Sequence, residues 1–377
     1  MAASGDSSAQ QPLRILVITT GLKLGGAEQQ IAALAGAFVA LGHAVSIISL
    51  TAGQEVALPP GITVTELAMR KTPLSMLSAL RKARRIVSQW QPDVIHAHMV
   101  HGNLFARVLA RTGHTPPVIC SAHSAHEGGT LRTLAYRLTD RWCALTTHVS
   151  EAGRRAMIDS GAVPPGRMAV IPNGIDIMRF RPDPVARERA RGDLVLSSDD
   201  VLVLNVGRLV PEKDQAILVD AFRDVATALP RARLIIAGDG PLRAALTTRI
   251  AQYGLNHAVL LAGARNDIPD LLRAADVFVL SSRIEGMPLA VGEALASGLP
   301  VVATAAAGVA ELAGGTATLT PVGDAPALAR ALLEVITQLP DSQAKCDRRR
   351  SQIVSRFDVG AVARQWLVQY QRLKEGH

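Results

Sequence analysis

The chain has 377 residues, which is enough for two domains of ordinary size, and its 48% hydrophobic content excludes an intrinsically disordered protein. The formal net charge of +8 suits nucleic acid, an anionic lipid surface or a phosphorylated small molecule as partner. Because only 3% of the residues are aromatic and the basic residues are spread along the chain, a nucleic-acid-binding protein with stacking platforms is disfavoured.

The start of the chain and its cysteines favour a cytoplasmic protein. The stretch MAASGDSSAQQ is small and polar, which predicts a flexible tail over residues 1–12 and no signal peptide. No run of about 18 uncharged apolar residues occurs, so no membrane-spanning helix is predicted. Cys120, Cys143 and Cys346 form neither a zinc pattern nor a disulfide framework, as is typical of a reducing compartment.

The first half of the chain alternates short apolar strands with helical patterns. Strands that are apolar throughout are typical of a parallel sheet covered by helices on both faces. A helical pattern over residues 27–41 separates the first two strands. The predicted strands are residues 14–20, 44–50, 93–99 and 117–123.

Two features follow these strands directly, at the edge where open α/β sheets bind ligands. The glycine-rich turn GLKLGGAEQ contains Gly25 and Gly26, which allow a ligand to approach the backbone closely. This turn lacks the G-x-G-x-x-G fingerprint, which disfavours a dinucleotide oxidoreductase. His123 ends the fourth strand and is predicted to face the same cleft, with a purely structural role as the alternative.

A basic amphipathic helix is predicted over residues 71–90. Arg81 and Arg85 lie on a different face from its apolar stripe, so the helix suits an anionic lipid surface. A helix that packs on the core and presents a solvated basic face is the alternative. The stripe consists of Met76, Leu80, Ala83, Val87 and Trp90.

A second series of strands follows a stretch that is rich in turn formers and charge. The sequence thus predicts two Rossmann-like, doubly wound α/β domains that face a central cleft. The strands of the second series are predicted at residues 201–207, 233–238, 258–263, 276–282 and 300–304. The predicted divisions are an N-terminal domain over 13–175, a linker over 176–195, a C-terminal domain over 196–355, and an amphipathic helix over 356–377 that crosses back to the N-terminal domain.

Two basic residues occupy the turn after the first strand of the second domain. Arg208 and Lys213 lie in NVGRLVPEKD, at the carboxyl edge of the predicted sheet. Fixed cations beside a helix N-terminus form a good diphosphate site, so the turn favours a phosphorylated ligand. A solvated basic loop is the alternative.

Two carboxylates stand out in the segment SSRIEGMPLAVGEALASGLPVVAT. Glu285 and Glu293 are the only charged residues between Ile284 and Thr304. Glu293 falls inside a predicted helix without other charges, so it is expected to be partly buried and to need hydroxyl partners. A helix-dipole role for Glu285 and a structural arginine partner for Glu293 are the alternatives.

The same segment predicts a helix start that binds anions. Pro288 is suited to the first turn of a helix, and Gly298 is suited to end it. Backbone amides around Met287 and Leu289 would then project from the helix N-terminus, where phosphate binds readily.

These features together resemble the retaining glycosyltransferases of family 4, which have the GT-B architecture. The Glu-x7-Glu motif of Glu285 and Glu293, beside the Gly-Arg-x4-Lys turn, is the specific pair. The resemblance covers nearly the whole chain and is carried by GGAEQQIAAL, DVIHAH, SAH, VIPNGID, VGRLVPEKD, IAGDGPL, GARNDI and EGMPLAVGEALASGLPVVAT.

The resemblance implies a role for each matched residue. Arg208 and Lys213 would hold the donor diphosphate, and Glu293 would bind the ribose hydroxyls. His123 would lie near the reacting sugar, and Arg265 would flank the base. Contacts to the donor sugar and phosphate would come from Glu285, Gly286, Met287, Pro288 and Leu289, with Gly25 and Gly26 lining the phosphate side of the cleft.

One departure from the family pattern affects the loop after the last strand. Many relatives have an acidic residue and a glycine pair there, whereas this chain has Ala305, Ala306, Ala307 and Gly308. Contacts from this loop to donor or acceptor are therefore not carried over.

The expected activity is transfer of a sugar from a nucleotide diphosphate sugar, with UDP-sugars favoured, to a hydroxyl of a saccharide or polyprenyl-linked acceptor. Because no Asp-x-Asp motif occurs, we expect neither a metal nor another cofactor, with Arg208 and Lys213 in the metal's place. The resemblance also implies a protein of the inner membrane face, peripheral or cytoplasmic, in polysaccharide, lipopolysaccharide or glycolipid synthesis. A nucleotide-sugar epimerase or hydrolase on the same fold, and a basic nucleic-acid or anionic-surface binder, are the competing functions.

Overall fold

The structure of the chain is a computed structural model, which describes residues 11–124 and 129–376. The tail predicted over residues 1–12 therefore lies almost entirely outside the described residues. Two parallel β-sheets with helices packed against both faces make up the fold, so the predicted fold class is confirmed. Within the described ranges, no helix is long and apolar enough to cross a lipid bilayer.

The N-terminal sheet is parallel throughout, and its strand order reverses next to its first strand. The strands are β1 (Arg14–Thr19), β2 (Ala44–Ser49), β3 (Thr63–Glu66), β4 (Val94–His98), β5 (Val118–Ala122), β6 (Leu145–His148) and β7 (Met168–Val170). Their order is β3-β2-β1-β4-β5-β6-β7, so the reversal lies between β1 and β4. Strands β3, β6 and β7, which have three or four residues each, are absent from the predicted set.

Alternating residues of the N-terminal strands supply two separate cores. Ile15 and Val17 of β1 pack in one core, and Leu16 and Ile18 pack in the other, as the two-residue period of a strand requires. The helices of this half are α1 (Gly26–Ala40), α2 (Pro73–Trp90), α3 (Met99–Arg111), α4 (Thr130–Thr139) and α5 (Glu151–Asp159).

The C-terminal sheet repeats the same arrangement. Its strands are β8 (Val201–Val206), β9 (Ala232–Ala237), β10 (Val259–Gly263), β11 (Val277–Leu280), β12 (Val301–Thr304) and β13 (Thr318–Thr320). The parallel order β10-β9-β8-β11-β12-β13 reverses between β8 and β11. The helices are α6 (Pro184–Asp193), α7 (Gln215–Ala228), α8 (Arg243–Gln252), α9 (Ile268–Ala274), α10 (Leu289–Ala296), α11 (Val309–Ala313), α12 (Ala325–Thr337), α13 (Gln343–Phe357) and α14 (Val359–Glu375).

The stretch predicted as a linker over residues 176–195 contains the helix α6. Asp183 caps this helix by accepting a hydrogen bond from the Ala186 amide at 3.0 Å. Arg191 reaches Asp276 at 3.0 Å, and Ala190 is buried in the core of the C-terminal domain. The charges of this stretch therefore anchor α6 to the C-terminal domain, and only part of the predicted linker connects the two halves.

The last helix, α14, packs against the N-terminal domain. Trp366 and Tyr370 are buried in the same core as Ile15 and Val17. The Tyr370 hydroxyl lies 2.6 Å from Nδ1 of His96, a residue of β4. The N-terminal domain is thus built from the first part of the chain and from α14, which follows the C-terminal domain.

Candidate functional site

In each sheet the strand order reverses between two neighbouring strands. Open α/β sheets bind ligands at the carboxyl ends of the strands beside such a reversal. In the C-terminal domain, the turn after β8 carries Arg208 and Lys213, and the loop after β11 carries Glu285. Because β8 and β11 are hydrogen-bonded neighbours, the two predicted segments meet at one point of the sheet. This point is the centre of the candidate site.

Lys213 and Glu285 form a direct ion pair across the reversal. The Lys213 ammonium donates to Oε1 of Glu285 at 2.6 Å. The Glu285 side chain is 8% exposed and that of Lys213 is 25% exposed, so the pair is largely withdrawn from water. A carboxylate thus holds the lysine at the mouth of the site, where an anionic ligand meets a positioned cation.

Hydrogen bonds fix the turn that carries the two cations. The Gln215 amide group donates to the carbonyl of Arg208 at 3.0 Å, and the Ser281 hydroxyl donates to the carbonyl of Lys213 at 2.9 Å. Asp214 adopts a left-handed conformation with φ of +46° and pairs with Arg283 at 2.6 Å. A non-glycine residue in this region is strained, and such strain is concentrated at functional sites.

The helix α10 presents its N-terminus to the same point, with one correction to the prediction. Pro288 is the N-cap residue and the helix begins at Leu289, whereas the sequence places Pro288 inside the first turn. The first amide bonded within the helix is that of Val291, which donates to Pro288 at 3.1 Å. The preceding amides lie at the positive end of the helix dipole, where anions are stabilised.

Glu293, the second acid of the motif, is desolvated on α10. Burial raises its pKa to about 7, although the charge of Arg179 acts in the opposite direction. At neutral pH the protonated and charged forms of this carboxyl group are therefore both populated. Hydroxyl donors from a ligand would favour the charged form, because a carboxylate that accepts hydrogen bonds is stabilised.

The two domains touch at Gly286. A Cβ at this position would lie 2.2 Å from the carbonyl oxygen of His123, which follows β5 in the N-terminal domain. Gly308 in turn adopts φ of +81° and packs on the carbonyl of Gly286, where a Cβ would come within 1.9 Å. No side chain fits at either place, so these glycines set the width of the cleft between His123 and the loop after β11.

His123 is partly buried and belongs to a row of histidines at the carboxyl edge of the N-terminal sheet, of which His98 is buried. Its Nε2 lies 3.0 Å from Nδ1 of His98, the last residue of β4. Burial lowers the pKa of His123 to about 4, and the charge of His148 lowers it further in the same direction. Burial likewise lowers the pKa of His98. These imidazoles are therefore neutral at pH 7.

The residue that follows β4 is strained and lies beside this row. Met99 follows His98 directly and adopts φ of +64°. It stands at the order reversal of the N-terminal sheet, as Asp214 stands near that of the C-terminal sheet. Both reversals thus carry a residue in a costly backbone conformation.

The glycine-rich turn after β1 faces the start of α10. Gly25 is the N-cap residue of α1, and a Cβ on Gly26 would lie 3.7 Å from the Leu289 side chain. Glu28 lies in the first turn of α1, and its carboxylate folds back over Gly25. A Cβ on Gly25 would lie 2.4 Å from Oε2 of Glu28. A Cβ on Gly25 would thus require the Glu28 side chain to move, whereas one on Gly26 would make an ordinary contact with Leu289.

Glu28 is a cleft residue that the sequence analysis misses. Burial raises its pKa, while its own backbone amide and the charge of Arg208 act in the opposite direction. The Arg208 guanidinium therefore acts on a carboxyl group of the other domain. The signal that could have found Glu28 is its place two residues after the glycine pair, at the N-terminus of a helix.

The remaining predicted residues lie further from this centre. Arg265 follows β10, the edge strand of the C-terminal sheet, and its guanidinium Nε donates to Asp267 at 2.7 Å. In the loop after β12, the Ala305 amide donates to Thr320 at 2.8 Å, which fixes the backbone of the divergent segment. The structure thus gathers Arg208, Lys213, Glu285 and the start of α10, and leaves Arg265 at the rim.

This arrangement has the chemistry of a site for a diphosphate attached to a polar group. Lys213 and Arg208 supply positive charge and α10 supplies backbone amides. Glu285 supplies a carboxylate beside Lys213, and Glu293 supplies a second carboxyl group on α10. Neutral imidazoles close the site from the opposite domain.

Two family sequence models match the chain. The model described as Glycosyltransferase Family 4 matches residues 24–179, and the model described as Glycosyl transferases group 1 matches residues 186–352. The first covers the N-terminal domain with the glycine-rich turn and His123. The second covers the C-terminal domain with the cations and both acids.

Two of the relatives with similar sequences are named as glycosyltransferases of bacteria. The chain is 30% identical over 236 residues to the UDP-Gal:alpha-D-GlcNAc-diphosphoundecaprenol alpha-1,3-galactosyltransferase of Escherichia coli, a match that covers 60% of this chain and 61% of that enzyme. It is also 30% identical over 291 residues to TuaC of Bacillus subtilis, named as a teichuronic acid biosynthesis glycosyltransferase, covering 74% and 70% of the two chains.

A solved structure shares the whole fold. Alr3699/HepE of Anabaena, crystallised in complex with UDP and glucose, superposes with a TM-score of 0.80 at 24% sequence identity, covering 95% of this chain and 99% of that chain. At this identity the likeness concerns the fold.

Proposed function

The chain belongs to glycosyltransferase family 4, and from this premise we propose that it transfers a sugar from a nucleotide diphosphate sugar to an acceptor hydroxyl with retention of the anomeric configuration. The observation that carries the proposal is the Lys213–Glu285 pair at the reversal between β8 and β11, beside the N-terminus of α10. The leaving group of such a reaction is a nucleoside diphosphate, which requires positive charge where it departs.

The donor diphosphate binds to Lys213, Arg208 and the amides before Val291. Its negative charge competes with Glu285 for the Lys213 ammonium, which lies 2.6 Å from Oε1 of Glu285. Preorganised charges in a partly dry site stabilise a developing diphosphate far better than the same charges do in water. These cations take the part of a divalent metal, so we propose that transfer is independent of metal.

The nucleoside lies along α10. Glu293 accepts hydrogen bonds from the two ribose hydroxyls, which supply the partners that a partly buried carboxylate needs. Arg265 flanks the base from the rim of the cleft. We favour uridine as the base, with the UDP complex of HepE and the UDP-galactose donor of the Escherichia coli enzyme as support.

The sugar lies between the loop after β11 and His123. Glu285 binds its hydroxyls, and the neutral imidazole of His123 lines the opposite wall near the reacting carbon. As the bond to the diphosphate breaks, positive charge develops on the sugar ring. The departing phosphate oxygen takes the proton of the incoming hydroxyl on the same face, which gives retention. A covalent intermediate on Glu285 is the less favoured route, because that carboxylate is engaged by Lys213.

The acceptor is a hydroxyl of a saccharide or of a polyprenyl-linked saccharide, in the synthesis of a cell-surface polysaccharide, lipopolysaccharide or glycolipid. Relatives named for such pathways support this class. We place the protein in the cytoplasm, peripheral on the inner face of the membrane.

A panel of nucleotide sugars with different bases and sugars tests the proposal. A true donor raises the melting temperature in proportion to its affinity, because ligand that binds only the folded chain stabilises it by mass action. The stabilising donor is then incubated with acceptors in the presence of EDTA, and the product linkage is determined by NMR. Retention without added metal is expected.

Three outcomes would contradict the proposal. A chain that binds no nucleotide sugar has no donor site of the proposed kind. Release of free sugar or an epimer without any acceptor would favour a hydrolase or epimerase. Salt-sensitive binding of DNA without nucleotide-sugar affinity would favour a nucleic-acid-binding protein.

A further inference from the structure

A cavity lies at the amino ends of β12 and β13, on the edge of the C-terminal sheet opposite the candidate site. Its volume is about 230 Å³, and its walls come from the starts of these strands, the end of α12 and the start of α13. Val301 begins β12 and Thr318 begins β13, whereas the proposed donor residues follow the carboxyl ends of β8 and β11. The cavity is therefore separate from the donor site.

The charges that line the cavity are mostly positive. Of the described residues in its walls, Lys345, Arg348 and Arg349 are basic, and Asp341 is the acid. Lys345 pairs with Asp341 at 3.3 Å, and Arg349 pairs with the same carboxylate. Arg348 is exposed and, among the residues that the structure describes, has no acidic partner. This excess of positive charge favours an anionic ligand.

The strongest of these charges is fixed in place. Arg349 is only 8% exposed, and its guanidinium donates to the carbonyl of Gly298 at 3.0 Å. Lys345 and Arg348 have exposed side chains that can move to a ligand. A fixed arginine with mobile cations around it matches a phosphate group, which accepts several hydrogen bonds at once.

The rest of the lining indicates what the phosphate is attached to. Thr318 and Gln338 offer a hydroxyl and an amide, which both donate to and accept from sugar hydroxyls. Val301, Val335 and Leu339 supply a small apolar part, and no aromatic ring occurs among the described lining residues. A nucleobase would find no stacking partner there. The volume is also below the roughly 300–1,000 Å³ of sites for drug-sized ligands.

We propose that this cavity binds a small phosphorylated sugar, of the size of a hexose phosphate. Lys345, Arg348 and Arg349 bind the phosphate, and Thr318 with Gln338 binds hydroxyl groups of the sugar. Inorganic phosphate would meet the same cations and leave the polar side chains without a partner. A neutral sugar would leave the excess charge uncompensated. A sugar phosphate satisfies both parts of the lining.

The helix α10 connects the cavity to the donor site. It has eight residues and so is about 12 Å long, with its N-terminus at the donor site. Beyond its other end, the carbonyl of Gly298 accepts the hydrogen bond from Arg349. A phosphate drawn to Arg349 competes with that carbonyl, so α10 is held less firmly and its N-terminal amides are less well placed. Donor affinity should fall by about fivefold when the cavity is occupied.

This coupling rests on the proposed function, whereas binding in the cavity does not. Calorimetry with the full chain at low salt measures that binding, with glucose 6-phosphate, inorganic phosphate and glucose as probes. Wild-type protein should bind glucose 6-phosphate more tightly than phosphate and should not bind glucose measurably. Lys213→Ala should bind glucose 6-phosphate as wild type does, because Lys213 lies at the donor site.

Matched variants locate the binding. Lys345→Glu combined with Arg348→Glu should weaken glucose 6-phosphate binding by about tenfold or more, because two charge-assisted contacts are lost. Arg348→Ala, which breaks no ion pair, should weaken it by a smaller factor. The control is Arg81→Glu with Lys82→Glu, which makes the same change of charge at exposed positions of α2 and should leave the affinity unaltered. Melting temperatures close to that of wild type verify folding.

Three results would overturn the cavity as a binding site. They are wild-type protein that binds neither phosphate probe, a Lys345→Glu and Arg348→Glu variant that binds as wild type does, and loss of binding in Lys213→Ala, which would place the probe at the donor site. Equal affinities for phosphate and glucose 6-phosphate would reject a sugar phosphate as the ligand.

The coupling is tested by measuring UDP affinity with and without saturating glucose 6-phosphate. An unchanged UDP affinity would overturn the coupling, as would a loss of affinity that the Lys345→Glu and Arg348→Glu variant retains. Transfer without any binding of the phosphate probes would reject the cavity alone. Binding of glucose 6-phosphate by a chain that binds no nucleotide sugar would reject the proposed function alone.

Discussion

The carboxyl edges of the two sheets share one architecture and differ in their chemistry. The C-terminal edge presents a lysine, an arginine and two carboxylates, with Lys213 and Glu285 joined at 2.6 Å. The N-terminal edge presents glycines and buried histidines, and burial holds the pKa of His123 at about 4 and that of His96 at about 3. One side of the cleft is charged, and the other is neutral apart from Glu28.

This difference indicates that the two halves recognise different groups. A diphosphate is recognised by fixed charges, which must come from particular residues at particular turns. An acceptor hydroxyl is neutral and is recognised by shape and by hydrogen bonds that many side chains can supply. The charged half should therefore respond to single substitutions with large losses, and the neutral half with smaller ones. Four predictions test that contrast.

The largest effect is expected at Lys213. Replacing it by alanine removes the positioned cation at the departing diphosphate, so kcat should fall by about 100- to 1,000-fold, the usual effect of losing one such electrostatic contact. Arg231→Ala is the control, because Arg231 lies at the opposite end of β9 and pairs with Asp199 on the surface. Steady-state transfer assays measure both. Equal kcat values in the two variants would show that the cation at the charged edge does not contribute to the mechanism.

A smaller effect is expected at Glu293, and it depends on pH. The pKa of this carboxyl in the ligand-free chain is about 7, and ribose hydroxyls favour its charged form. Nucleotide affinity should therefore rise as pH increases from 6 to 8 while Glu293 loses its proton, by up to about tenfold per pH unit below the pKa. Calorimetry in buffers of different ionisation enthalpy should detect proton release on binding.

The variant Glu293→Gln provides the matched comparison. It keeps the shape of the side chain, cannot ionise, and should bind UDP about tenfold or more weakly at pH 8, with no proton release. The raised pKa also means that charging Glu293 costs stability in the ligand-free chain as pH rises through 7. A pH-independent affinity in wild type would show that the acid does not contact the nucleotide.

The histidines of the N-terminal edge should make the folding stability of the chain sensitive to acid. His96 and His123 have folded pKa values near 3 and 4, below the usual 6.5, so the unfolded chain binds more protons between those limits. Stability from these groups is fully present above pH 6.5 and is lost as pH falls towards 4. Each histidine should lower the folding equilibrium constant by up to about tenfold per pH unit in that window.

Thermal unfolding between pH 7.5 and 4.5 measures this slope. His96→Gln should reduce the slope even where it lowers the melting temperature at pH 7.5, because a glutamine does not titrate. His257→Gln is the control, since His257 is exposed at a turn of the C-terminal domain. A slope that both variants leave unchanged would mean that the buried row does not govern acid stability.

The same contrast explains what could be predicted from the sequence. The strands β1, β8 and β11 are largely apolar, so their ends are easily located, and residues such as Arg208 and Glu285 lie within five residues of those ends. Family patterns then supply roles for them. On the neutral side, His123 is found in the same way, but its neighbour His98 is not, because nothing in a single strand indicates which side chains of adjacent strands meet.

Other features depend on tertiary packing and escaped prediction. Turn formers and charges suggest a linker over residues 176–195, yet ion pairs to Asp276 hold α6 against the C-terminal domain. The pattern of α4 resembles an ordinary amphipathic helix, and only the burial of Tyr136 reveals that the leucines of this helix face outward. Glu28 lies within a helix, and its relation to Arg208 exists only because the two domains meet.

Glu28 gives the smallest predicted effect and the sharpest test of the contrast, since it places a carboxylate on the otherwise neutral side. Its charge and that of a bound diphosphate both act on Arg208, so the two anions repel each other and compete for one cation. Glu28→Gln should therefore tighten UDP binding about two- to fivefold, the size expected for a partly screened charge at the edge of a cleft. Glu334→Gln makes the same charge change on the exposed side of α12 and should leave affinity unaltered.

The pH dependence of the gain in UDP affinity distinguishes an electrostatic cause from a change in packing. Burial raises the pKa of Glu28, so the carboxyl takes up a proton earlier than an ordinary glutamate as pH falls. The advantage of the glutamine variant should be present at pH 8 and should vanish at low pH, where wild type is itself neutral at this position. Tighter binding by Glu28→Gln that persists at low pH would mean that the shape of the side chain, and not its charge, causes the change. Weaker binding by this variant at pH 8 would mean that Glu28 contributes to binding of the donor. In that last case the N-terminal edge is not a neutral wall, and charge recognition extends across both domains.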